Sequence, residues 1–118
     1  MSDSVARLAF AVLLAASKKT AQFRIRPDGV DYVVEHRIDE QTTEEMRAPG
    51  TVLAAVIRRL SVMANLPTYA KDESASGLIH LEVGADRTMF FAVLVTGHGP
   101  TLALEGRVIT AAEYRAGG

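Results

Sequence analysis

The chain is expected to fold as α+β: an antiparallel sheet of about five strands, a hairpin plus a three-strand meander, with two main helices packed on it. Three observations predict this. Two stretches carry apolar residues at helical spacing, several short stretches alternate with period two, and the links between those short stretches are too short for parallel crossovers. The expected order is α-β-β-α-β-β-β, as one domain over residues 1–118.

The chain is organised around Thr51 to Leu66, where Leu53, Val56, Ile57, Leu60 and Ala64 form one apolar helical face. Arg58, Ser61 and Asn65 fall on the other. Pro49 and Gly50 punctuate the start, Thr51 is the expected cap, and Pro67 stops the helix. A first helix is expected from about Ser4 to Lys18, with Val5, Leu8, Ala9, Val12, Leu13 and Ala16 facing the core and Lys18 and Lys19 at the negative end of its dipole. Its run Leu8 to Ala16 is too short to span a bilayer. Ala15-Ala16-Ser17 has the form of a signal-peptide cleavage site, but Asp3 beside Arg7 removes the positive charge such a leader needs, which favours a core helix.

Thr20 to Arg26 alternates Ala21, Phe23 and Ile25 with Gln22, Arg24 and Arg26, the pattern of a half-buried strand. Pro27-Asp28-Gly29 is a turn in which Gly29 takes a positive φ. Val30 to Asp39 completes a hairpin, with Tyr32, Val34, His36 and Ile38 on one face and Asp31, Val33, Glu35, Arg37 and Asp39 on the other. Gln41 to Ala48 is polar and reads as a loop, and Thr68 to Ser76 as a polar connection. Gly77 to Val83 alternates again. Thr88 to Val95 is the most apolar run and reads as a strand buried on both faces. Thr101 to Val108 is the last strand, and Thr110 to Arg115 a short terminal helix.

Composition limits function. Against 14 acidic residues stand 13 basic ones, so a strongly basic nucleic-acid binder is not expected. Without cysteine there is no disulfide framework, thiol nucleophile or cysteine-ligated metal, which suits a cytoplasmic protein. His36, His80 and His98 lack ligand partners at metal-binding spacing, so satisfied structural histidines are expected and no metal or other cofactor is assigned. Gly97-x-Gly99 lacks the context of a dinucleotide fingerprint, no P-loop motif occurs, and neither Ser61 nor Ser74 has nucleophile-elbow surroundings. An enzyme is therefore not expected. Asp39, Glu40, Glu44 and Glu45 read as a solvated surface. Arg24, Arg26 and Arg37 share the outer face of the hairpin with Glu35 and Asp39; a salt-bridge ladder is the default there, and a docking patch the sharper alternative.

Together these stretches resemble the domain that precedes the motor domain in type II secretion and type IV pilus assembly ATPases. That family has a Leu/Ala-rich helix, a strand of pattern A-S-D-I-H-I-E-P, a strand ending R-x-R-I-D-G, a helix ending R-I-K-x-M-A-x-L, and a meander closing near P-T-x-x-G-E. Val5 to Ser17, Thr20 to Pro27, Glu35 to Glu40 and Arg59 to Leu66 correspond in order, and Gly77-Leu78-Ile79 and His98-Gly99-Pro100 fall at the later places. The apolar frame, Pro27, Arg37-Ile38-Asp39, Arg59, Met63-Ala64, Leu66 and Gly77 agree. The polar signature differs: the family's Ser, Asp, His and Glu of the first strand are Ala21, Gln22, Arg24 and Arg26, its helix lysine is Ser61, its glycine after R-I-D is Glu40, and its arginine after the later glycine is Leu78. In the family this domain helps close a neighbouring subunit's nucleotide site, partly through arginines, and of these positions Arg37 is kept.

The resemblance implies a non-catalytic module, stand-alone and diverged, that binds a protein partner from the secretion or pilus machinery through Arg24, Arg26, Arg37 and Asp39. Direct membrane insertion is not expected, and an exposed edge strand offers a route to a homodimer. The initiating Met and the Ala-Gly-Gly tail suit a complete small protein; a piece of a longer chain is the alternative. The rival reading is a PAS-like sensor with Phe23, Tyr32, Phe90 and Phe91 lining a ligand cavity between sheet and helix.

Overall fold

A computed structural model describes residues 3–19, 21–66 and 74–117 of the protein. Most of the predicted polar connection Thr68 to Ser76, the stop at Pro67, and Thr20 at the start of the first strand lie outside them. The elements are α1 (Asp3–Lys19), β1 (Gln22–Asp28), β2 (Asp31–Ile38), β3 (Gln41–Pro49), α2 (Gly50–Met63), β4 (Ala75–Val83), β5 (Arg87–Thr96), a 3-10 turn (Gly99–Thr101), β6 (Ala103–Ile109) and α3 (Ala111–Arg115). The class is α+β, as the hydrophobic periods predict. The sheet has six strands rather than about five, all antiparallel, in the order β3-β2-β1-β6-β5-β4.

The additional strand is Gln41–Pro49, the stretch read as a loop. It pairs with β2 through a turn at Asp39 and Glu40, both with positive φ, as a two-residue hairpin of the primed type requires. As an edge strand it buries little, and only Met46 and Ala48 pack on the core. A polar stretch with one half-buried end carries no readable period two.

Helices α1 and α2 lie on one face of the sheet. Ala9, Val12, Leu13 and Ala16 of α1 and Leu53, Val56, Ile57, Leu60 and Ala64 of α2 are buried there against Phe23, Ile25, Val34, Ile79, Phe91, Val93 and Leu104. The two helical faces predicted from spacing are therefore the core. Ser61 is a correction: it is buried, not on the outer side, and its hydroxyl donates to the Ile57 carbonyl at 2.9 Å, so the polar group carries its own acceptor into the core. Pro49 rather than Thr51 occupies the cap position of α2, with no side-chain cap. The helix ends before Pro67: Asn65 has φ +61°, and Leu66 N–H donates to the Ser61 carbonyl while Asn65 N–H donates to that of Val62, a Schellman closure.

Glycine sets two close approaches. Gly106 of β6 stands opposite Phe23 of β1, and the Phe23 ring lies across it so closely that a Cβ would fall 2.3 Å from the ring. Gly77 lets β4 pass beside the end of α2, where a Cβ would fall 2.7 Å from the Ala64 carbonyl oxygen. Strand β5 is not buried on both faces. Met89, Phe91, Val93 and Val95 point to the core, while Leu94 on the other side is 37% exposed. α3, which begins at a Thr110–Glu113 capping box, packs on that second face, where Tyr114 lies against Phe90. No described helix is long and apolar enough to cross a membrane.

Candidate functional site

The face of the sheet opposite α1 and α2 is open over β2, β1 and β6, and the strand register lays its side chains out in rows. One row runs Thr42, Arg37, Gln22, Arg107, Ala92 and Leu78, from β3 to β4. The next row places Glu35, Arg24, Glu105, Leu94 and Ser76 side by side. Adjacent strands lie about 4.8 Å apart, so Arg37 and Arg107 flank Gln22 with their backbones about 10 Å apart. Over these rows lies a hollow of about 440 Å³, lined among others by Gln22, Arg24, Arg37, Thr42, Glu105 and Arg107.

The charges differ in how firmly they are held. Arg26 grips Glu35 with a two-pronged guanidinium, Nε to Oε1 at 3.0 Å and Nη2 to Oε2 at 2.9 Å. Hydrogen bonding from Arg26 holds the Glu35 carboxyl below the usual carboxylate range despite its partial burial, and the same contact raises the Arg26 guanidinium. Arg24 is held loosely: its contacts are 3.5 Å to Glu35 and 3.7 Å to Glu105, and its side chain is 48% exposed. At the far end, Arg47 is fixed by Asp28 at 2.8 Å and Glu44 at 3.0 Å, and its hydrogen bond lowers the Asp28 carboxyl. Arg107 reaches Glu113 at 3.4 Å. Arg37 is exposed and makes no ion pair or side-chain hydrogen bond among the described residues.

Of the four residues singled out in the sequence, Arg24, Arg26 and Arg37 share this face, as alternation predicts. Asp39 does not join them. It sits at the tip of the β2–β3 turn with φ +51°, because that stretch turns rather than continuing as strand. Gln22, Glu105 and Arg107 complete the face and were not singled out. Alternation in Leu104-Glu105-Gly106-Arg107-Val108 marks Glu105 and Arg107 as outward, but their neighbours come from β1, near the other end of the chain. That pairing leaves no local trace.

The histidines separate into different settings. His36, on the core face of β2, is 2% exposed and its Nδ1 has no hydrogen-bond partner, so it is not the satisfied structural histidine expected. Burial lowers its pKa, and the nearby Lys19, ion-paired with Glu45, lowers it further. His80 stacks on Phe90 with ring centroids 5.5 Å apart and lies 3.7 Å from Glu82. His98 caps the 3-10 turn, its backbone N–H donating to the Thr101 hydroxyl. Among the described residues no group of His, Asp and Glu side chains converges as a metal site.

Phe23, Tyr32 and Phe91 are core residues, whereas Phe90 lies on the opposite face beneath Tyr114. The four aromatic residues therefore do not line one cavity between sheet and helices. Tyr32 spends its hydroxyl within the fold, donating to the Leu102 carbonyl at 2.8 Å.

Over 99 residues, 83% of its length, the chain is 33% identical to the type IV pilus assembly ATPase PilB of Myxococcus xanthus (strain DK1622). The two are distantly related over that stretch, which is 17% of the length of the Myxococcus protein. No protein-family model matches the chain.

Proposed function

We propose that the protein is a non-catalytic interaction module that docks onto a component of a pilus or secretion machine through the open face of its sheet. In this reading the 99-residue match falls on the part of the pilus ATPase that precedes its motor, and the module works in the cytoplasm. The observation that carries the proposal is the one-sided cover of the sheet. Helices α1 and α2 cover the core of one face, while the other, which α3 covers only beside Phe90, presents Arg37, Arg24 and Arg107 around Gln22 in an open hollow. Exposed arginines that are unpaired or loosely paired keep their hydrogen-bonding capacity for an incoming carboxylate-bearing surface. Arg26 has a different part. Its forked contact to Glu35 fixes the floor of the patch, and Asp39 borders it from the turn.

The test is affinity capture from the native cells with the wild-type chain and with Arg37→Glu, each checked for an intact fold by circular dichroism. The proposal expects a pilus or secretion component to be enriched by the wild type and lost with the variant. Equal recovery by both proteins, or recovery of the chain alone, sinks it.

A further inference from the structure

The two edges of the sheet are built differently. β3 is guarded: it carries Glu44, Glu45 and Arg47, it ends at Pro49, and its pairing with β2 is interrupted by an irregularity at Val34/Glu35. These are the devices that keep an edge from pairing with another chain. β4 has neither the proline nor the irregularity, and far less charge. Its nine residues, ASGLIHLEV, pair with β5 without interruption and contain no proline and one carboxylate, Glu82. Among the described residues no strand pairs with its other side. Leu78 on its outer face continues the row of Ala92, and the His80–Phe90–Tyr114 stack stands beside it.

We propose that β4 pairs antiparallel with β4 of a second copy, joining the two sheets across a two-fold axis at Ile79. The choice of a second copy rests on self-complementarity. In the register that pairs all nine residues, Ser76 faces Glu82 of the partner subunit, Gly77 faces Leu81, Leu78 faces His80, and Ile79 meets its own copy. No like charges meet. The same operation applied to β3 sets Glu45 against Glu45 across the axis and brings Pro49 into the pairing, so that edge disfavours its own copy. Pairing β3 with β4 would give an open head-to-tail fibre, and the guards on β3 prevent it. What remains is one closed dimer. Ser76 also borders the hollow beside Leu94, but the dimer is read from oligomeric state and the docking proposal from partner capture, so the two fail separately.

The register makes the test specific, because Ser76 and Glu82 are both exposed and their substitution leaves the core intact. The oligomeric state of the full chain is measured by sedimentation equilibrium from about 10 µM to about 1 mM. The wild type is expected to show a reversible monomer–dimer equilibrium. Ser76→Glu places like charges opposite each other twice per dimer and weakens it by roughly 2- to 30-fold, whereas Ser76→Lys tightens it. Combining Ser76→Glu with Glu82→Lys restores the dimer to wild-type strength or better. A chain that stays monomeric to the top of the range overturns the proposal, as does a dimer whose strength ignores these three variants.

Discussion

Gly106→Ala tests the packing between the central strands with a single methyl. The backbone accepts alanine, since Gly106 is not among the glycines of positive φ. Space does not. The new Cβ would lie 2.3 Å from Phe23 Cζ, 2.5 Å from Cε1 and 3.1 Å from Cε2, against an ordinary carbon–carbon contact of about 3.5 Å. The ring would have to retreat by roughly 1.2 Å, the difference between that contact and 2.3 Å. It has little freedom to do so, being 2% exposed and set edge-on against Phe91 with centroids 6.5 Å apart. Overpacking of this kind costs about 1–3 kcal/mol. Removing a glycine from the unfolded chain offsets about 0.4–1 kcal/mol of that. A net loss of about 1–2 kcal/mol corresponds to a fall in Tm of about 4–8 °C for a chain of this size. Urea and thermal unfolding of Gly106→Ala measure it, and the same substitution made in Phe23→Leu identifies the cause. There the cost should shrink below about 0.5 kcal/mol, because the shorter side chain vacates the space the methyl needs. A Gly106→Ala protein as stable as the wild type would refute the reasoning, and so would an undiminished cost beside Leu at position 23.

Acidification offers a second test. Burial lowers the His36 pKa in the folded state, so below the ordinary value of about 6.5 the unfolded chain binds the extra proton and stability falls as pH drops, by at most about 1.4 kcal/mol per pH unit. Urea midpoints of the wild type and His36→Met from about pH 7.5 to about pH 5 should diverge in slope, the variant being flatter; parallel curves would remove His36 from the explanation. Glu35→Gln should cost about 1 kcal/mol, below the usual range for charged hydrogen bonds, because the Arg24 and Arg26 side chains it releases are partly exposed. Glu35 has a depressed pKa, so its contribution is fully present above its ordinary 4.5 and is lost as pH falls below that value. If Glu35→Gln is as stable as the wild type at pH 7 in denaturant titration, the forked contact does not hold the sheet.

The parts of the fold that were legible in the sequence are those with a strong local period. Leu53, Val56, Ile57 and Leu60 bury together as their spacing requires, and Phe23 and Ile25 point away from Arg24 and Arg26. β3 was missed because an edge strand needs only one hydrogen-bonded side and hardly any apolar side chains, and because its turn uses Asp39-Glu40 in place of the glycine that usually marks such a hairpin. The burial of Ser61 is not legible because polarity alone does not reveal that a serine can satisfy itself on the carbonyl one turn back. The arginines of the candidate site were half legible. Alternation put Arg24, Arg26 and Arg37 on one face, while Arg107 joined them through pairing of β1 with β6, and Asp39 left them for the turn.

The central claim is that the open face of the sheet, and not the helical face, meets the partner. A photo-cross-linking residue placed at Arg37 and, separately, at Arg58 on the exposed side of α2 tests it in the native cells. Position 37 is expected to capture a pilus or secretion component, and position 58 is not. Cross-links to such a component from position 58, with none from position 37, would contradict it.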